Sequence, residues 1–131
     1  MFDEINLFAV LAAAISSFAV GGIWYGPLFG KAWMEAFNIT EQDLSEGNMP
    51  MIYGLAFLLS LVAALNLAFF FGSEVDTVSG IAYGFATGLG WVAAFTGIQY
   101  LFEGRSLKAF LINAGYSVVA LTVMGGILGT W

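Results

Sequence analysis

The charges in this sequence fall in clusters, and the clusters are separated by long charge-free runs. The runs extend from Ile5 to about Leu28, from Met49 to Ser73, from Thr77 to Phe102 and from Ala109 to Trp131. Each is longer than the roughly 20 apolar residues that a helix needs to cross a hydrocarbon core of about 30 Å. Backbone groups in lipid must bond internally, which a continuous helix achieves. A membrane β-barrel would show alternation of apolar and polar residues, and these runs do not alternate. The pattern therefore predicts an all-α integral membrane protein, a single domain over 1–131. Its four transmembrane helices lie at about 5–26, 50–71, 78–101 and 107–130, in a compact bundle.

Composition supports this reading. Hydrophobic residues make up 60% of the chain and charged residues 9%, against about 25% charged in an ordinary soluble domain. So little charge cannot cover a soluble core, and so much apolar surface excludes a disordered chain. The first run begins Met1-Phe2-Asp3-Glu4, acidic where a signal peptide would be basic, and is read as a retained span. The chain contains neither Cys nor His. Disulfides, thiolate nucleophiles, Cys/His zinc sites and His acid–base chemistry are excluded. A net charge of −6 argues against a nucleic-acid partner. No cofactor or metal is expected, and the partner expected is the lipid bilayer.

The three bases set an expected orientation. Lys31 lies between the first two spans, and Arg105 and Lys108 lie between the last two. Both connections fall on one side of a four-pass chain. The other side carries Asp3, Glu4, Glu74 and Asp76 with no base. Basic loops stay cytoplasmic. The 27–49 and 102–106 loops are therefore expected in the cytoplasm and both termini outside, in the plasma membrane.

The connections differ in length. The stretch 72–77 is a tight turn, expected to make the second and third spans antiparallel neighbours. Ser106 is placed to cap the fourth span. The longer 27–49 connection has its own pattern: Phe29, Trp33 and Phe37 on one face, Lys31 and Glu35 on the other, with Pro27 able to start a helix. This predicts an amphipathic interfacial helix at about 27–37; the alternative is a plain extension of the first span. Thr40 and Asp43 resemble a capping box. Tyr25 to Trp33 and Tyr100 to Phe110 share an order of Tyr, Phe, Gly, then Lys-Ala-aromatic. That faint echo is compatible with a duplicated hairpin.

Small residues recur every four positions on every span: Ala9, Ala13, Ser17 and Gly21; Ala56, Ser60, Ala64 and Ala68; Gly80, Gly84 and Gly88; Thr122, Gly126 and Thr130. Such stripes let helices approach closely where lipid provides little hydrophobic drive. Ser17, Gly21, Gly80, Gly84, Gly88 and Gly126 are the packing residues expected to matter most. The stripe on the third span is the candidate for a homodimer face, the alternative being that all four serve one protomer.

No charged residue lies deep in a span, which weighs against an ion-coupled carrier. The neutral groups Tyr25, Gln99, Asn113 and Tyr116, with Trp91, are the candidate lining of a polar pocket. The plainer reading is interhelical hydrogen bonding, worth about 0.6 kcal/mol per contact. Trp91 lies mid-span where Trp is unusual, either packed into a glycine-lined space or walling a site. Trp24, Tyr25, Trp33, Tyr53, Tyr100 and Trp131 read as an aromatic belt. Trp24, Lys31, Trp33, Glu103, Arg105 and Lys108 form an expected interfacial motif, able to meet lipid headgroups. Gly88-Leu89-Gly90 follows no strand and is not a nucleotide loop.

Two stretches carry a resemblance. Gly21-Gly22-Ile23-Trp24-Tyr25-Gly26-Pro27-Leu28-Phe29-Gly30-Lys31-Ala32-Trp33-Met34 resembles the first-helix signature of the domain of unknown function 1761 family. Residues 102–116, Phe-Glu-Gly-Arg-Ser-Leu-Lys-Ala-Phe-Leu-Ile-Asn-Ala-Gly-Tyr, resemble its fourth-helix signature. The resemblance implies a small multi-pass membrane protein and carries no activity. It also implies a His after the signature Tyr; this chain has Ser117 there, so a metal or proton role for such a His has no counterpart.

The residues thus predict a non-enzymatic membrane bundle of unknown function. The alternative is a small transporter or channel for a neutral or amphipathic solute, its ligand undefined.

Overall fold

A computed structural model describes residues 5–131, and every regular element in it is helical. Helix α1 spans Leu7–Leu28, α2 Gly30–Phe37, α3 Glu41–Glu46, α4 Met49–Phe71, α5 Thr77–Glu103 and α6 Leu107–Thr130. Helices α1, α4, α5 and α6 are the four long and apolar enough to cross a membrane. The acidic residues Asp3 and Glu4 lie outside the described residues.

Helix ends follow local chemistry. Asn6, Asn48, Asp76 and Ser106 cap α1, α4, α5 and α6, each side chain accepting from backbone N–H groups of the first turn. Thr40 and Asp43 form a full capping box at α3: Asp43 N–H donates to Thr40 Oγ1 at 3.1 Å, and Thr40 N–H to Asp43 Oδ2 at 2.9 Å. Gly104 (φ 70°) and Gly72 (φ 63°) terminate α5 and α4 in conformations that a side chain disfavours. Asn38 ends α2 at φ 54°, which Asn tolerates.

The 27–37 segment differs from expectation at its start. Pro27 does not begin a helix. It sits inside a π-helical turn, Trp24–Leu28, that closes α1, with Phe29 N–H donating to Trp24 O at 2.8 Å. Proline has no N–H to give, and the wider turn absorbs that loss without ending the helix. Gly30 then starts α2 against Tyr25, where a methyl group would lie 2.6 Å from the Tyr25 carbonyl oxygen.

The spans are arranged in the order α4–α1–α6–α5, with α6 also touching α4. The apolar core lies toward the end that carries the α1 N-terminus: Val10, Ala13 and Ala14 pack on Leu67, Ala68, Phe71 and Met124. The expectation that the second and third spans pack side by side is corrected. Beyond their short turn α4 and α5 make almost no contact, because α5 is drawn onto α6 and α4 onto α1. Phe71 and Tyr83, with ring centres 5.8 Å apart, bridge them near the turn.

The small-residue stripes explain that order. Gly80, Gly84 and Gly88 all face α6. A methyl at Gly80 would collide with the Gly125 carbonyl, one at Gly84 with the Leu121 carbonyl, and one at Gly88 would lie 2.8 Å from Val118 Cα. Gly125 and Gly129 return the contact against Gly80 and Asp76, and Gly126 faces Ile81. The third span's stripe is therefore filled by α6 within the protomer. Ala9, Ala13, Ala64 and Ala68 are buried. Ser17 is buried as well, its hydroxyl within 3.0 Å of Ser60 Oγ across α1 and α4. Gly21 meets Tyr116.

A second π-helical turn, Gly88–Ala93, interrupts α5. It adds one residue to the repeat. After Gly88 the next buried position is Ala93, five residues on, followed by Gly97 against Phe110. The added residue rotates Trp91 away from α6, and Trp91 is 66% exposed. Trp91 does not pack into a glycine-lined space.

Candidate functional site

The two signature stretches meet at the end of the bundle that carries the three bases. The π-turn of α1 lets two consecutive residues, Trp24 and Tyr25, both reach α6. Trp24 Nε1–H donates to the Ile112 carbonyl at 2.8 Å, and the Tyr25 hydroxyl donates to Asn113 Oδ1 at 2.6 Å. Asn113 Nδ2–H then donates to the Tyr100 hydroxyl of α5 at 2.7 Å. One amide thus ties three helices, using its acceptor on α1 and its donor on α5. The Tyr116 hydroxyl donates to the Ser17 carbonyl at 3.1 Å, and the Tyr116 ring lies 5.4 Å from that of Tyr25.

Glycines make room for these rings. A methyl at Gly115 would lie 2.8 Å from Trp24 Cζ2, and one at Gly21 would lie 3.4 Å from Tyr116 Cε1. The sequence therefore places Gly115 opposite Trp24 and Gly21 opposite Tyr116.

Helix α2 covers this end. Its Trp33 packs edge-on to Tyr25 with ring centres 5.6 Å apart, and Phe37 lies 6.2 Å from Tyr100. Arg105 stacks its guanidinium 4.8 Å above Phe37 and 5.7 Å from Tyr100, while its Nε pairs with Glu103 at 2.9 Å. Lys108 pairs with Glu35 at 2.9 Å, joining α6 to α2. The Lys108 hydrogen bond and charge, with a smaller contribution from Lys31, hold the Glu35 carboxyl below its ordinary range. Lys31 makes no ion pair among the described residues.

Of the five candidate pocket residues, Tyr25, Asn113 and Tyr116 converge. Gln99 is exposed on α5 and forms no side-chain hydrogen bond, and Trp91 faces a separate cleft. Tyr25 and Tyr116 border a groove of about 470 Å³ between α1 and α4, with Ser17, Tyr53 and Ser60. Within the interfacial motif, Trp33, Glu103, Arg105 and Lys108 join the α2 contact as described. Trp24 is drawn inward from the expected belt. Tyr100, also expected in the belt, completes the Asn113 bridge. The echo between Tyr25–Trp33 and Tyr100–Phe110 was the available signal: its tyrosines, Tyr25 and Tyr100, bind the two ends of one amide.

No group of three or more Asp or Glu among the described residues could hold a metal ion. The arrangement can join helices and fix α2.

A family model described as a protein of unknown function (DUF1761) matches residues 8–129. The chain belongs to the DUF1761 family. Comparison with curated proteins and with solved structures returned no match. The residues that carried the resemblance are thus those that form the Trp24–Tyr25–Asn113–Tyr116 junction.

Proposed function

We propose that this DUF1761 protein is a non-enzymatic integral membrane protein of the plasma membrane. Its signature end is a structural platform that holds α2 in the cytoplasmic interface. The observation that carries this reading is the Tyr25–Asn113–Tyr100 bridge. The polar groups best placed to bind a solute are committed to one another. The orientation rests on Lys31, Arg105 and Lys108 all lying at that end. The 27–49 and 102–106 connections then face the cytoplasm and the termini face outward. A homodimer would need a face other than the α5 glycines, which α6 occupies.

The α1–α4 groove beside Tyr25 and Tyr116 favours a second reading, a carrier or channel for a neutral or amphipathic solute. Native mass spectrometry in mild detergent separates the two. Protein carrying only ordinary lipid supports the platform. A reproducible extra mass, lost on Asn113→Ala or Tyr116→Phe, supports the carrier. Single-Cys variants at Ser45, Ser73 and Ser106 test orientation in a chain with no native Cys. Labelling of Ser73→Cys from the cytoplasm would invert it.

A further inference from the structure

The separation of α4 from α5 leaves a lateral cleft of about 540 Å³, lined by Asn66, Phe70, Tyr83, Thr87 and Trp91 among others. Its volume is that of a small-molecule site between helices. The walls are largely apolar and aromatic, and no charged residue lines them. Two neutral polar groups stand out. Asn66 on α4 and Tyr83 on α5 both line the cleft, both are exposed, and neither side chain is hydrogen-bonded among the described residues. The Thr87 hydroxyl, by contrast, is used on the Tyr83 carbonyl at 2.8 Å.

Depth makes these groups informative. Asn66 lies five residues before the end of α4, about 7.5 Å along the axis, and Trp91 lies about 21 Å from the same end of α5. The cleft therefore runs from below the interface toward mid-membrane. An amide there with no partner is costly, since hydrocarbon offers it no hydrogen bond. Phospholipid ester groups stay near the interface, above most of this cleft. The π-turn directs Trp91 to the same opening, and such turns are frequent at functional sites.

We propose that the α4–α5 cleft binds a neutral, lipid-soluble molecule bearing carbonyl or hydroxyl groups on a flat ring, of the quinone type. The ring would lie among Phe70, Tyr83 and Trp91. Its oxygen atoms would meet Asn66 and Tyr83. The cleft shares no residue with the signature end, so it stands or falls separately from the platform.

The test uses the full chain in phosphatidylcholine nanodiscs, titrated with a short-tailed ubiquinone while tryptophan emission is read. Saturable quenching is expected. Trp91→Phe should remove the saturable part. Asn66→Leu should weaken apparent affinity about threefold to tenfold, the effect of one hydrogen bond. Tyr83→Phe serves as a second variant if Asn66→Leu does not fold. Quenching that is linear and equal in all variants reflects partition alone and overturns the proposal. So does quenching of Trp91 by brominated phosphatidylcholine that the ubiquinone fails to relieve, since the cleft then holds bulk lipid. Cross-linking of an Ala86→Cys variant into a dimer, with Trp91 shielded from both quenchers, also overturns it, because a second copy fills the cleft.

Discussion

The α5–α6 seam and the α1–α6 junction join helices in opposite ways. At the seam, side chains are removed: Gly80, Gly84 and Gly88 bring backbone against the backbone of Gly125, Leu121 and Val118. At the junction, large side chains are inserted: Trp24, Tyr25 and Tyr116 span the gap and hydrogen-bond across it. Both address the same difficulty, that lipid gives helices little apolar reason to associate. The seam relies on dispersion over close surfaces and has no slack. The junction relies on a few directional bonds, so its parts can be removed one at a time. α6 carries both solutions on different faces, which makes it the central element of the fold.

The largest expected effect breaks the seam. Gly84→Leu should cost about 3 kcal/mol or more, because the atoms in its way are backbone and cannot rotate aside. Gly90, where an added methyl meets nothing, gives the control. Gly90→Leu should leave the unfolding midpoint in denaturing detergent nearly unchanged. Equal loss in the two variants would mean that α5 does not rest on α6 as described.

A middle effect is expected at the junction. Asn113→Ala leaves the Tyr25 and Tyr100 hydroxyls without their shared partner and should cost about 1–3 kcal/mol. In the double variant with Tyr25→Phe the two losses should not add fully, since both remove the Tyr25–Asn113 bond. Full additivity would show that the bridge carries no energy.

The smallest effect lies at the rim. Glu35 is exposed, and an exposed ion pair contributes little. Its carboxyl is held below the ordinary value of 4.5 chiefly by Lys108. A depressed value in the folded state means that the unfolded chain binds the proton more readily. The contribution is therefore complete above that ordinary value and is lost as pH falls through the folded one. Acidification below the ordinary carboxylate range should loosen α2 and shift Trp33 emission. Glu35→Gln should remove the step, and a step that persists in that variant would assign it to another group.

Much of this comparison was legible in the sequence. Charge-free runs place the spans, since a charge at mid-membrane is costly whatever the packing. The Ser106 cap and the Thr40–Asp43 box are local hydrogen-bond chemistry and appear as expected. Tyr25, Asn113 and Tyr116 were recognisable as polar groups in apolar surroundings. What spacing could not reveal is which helix a stripe faces. Gly80, Gly84 and Gly88 define a face, and only the fold assigns that face to α6. The short 72–77 turn showed that α4 and α5 are joined, but joining two helix ends does not bring their lengths together. Of the two readings open for Trp91, packing against glycine fails and lining a cleft fits; the π-turn that turns it outward is not announced by the sequence Gly-Leu-Gly-Trp-Val-Ala.

That turn also loosens the tie between the residue count of α5 and its phase. One residue is worth about 100° of rotation in a regular helix. Carried through a regular helix, the residue added between Gly88 and Ala93 would swing everything beyond it by that angle; the wider turn absorbs it, so Ala93 stays in phase with Gly88 and Gly97 still meets Phe110. Removing one residue from Gly88–Ala93 would therefore let α5 rewind regularly with Gly97 still facing Phe110 and Tyr100 still facing Asn113. In this span the turn lets the length of the helix change by one residue without changing the phase of the contacts beyond it.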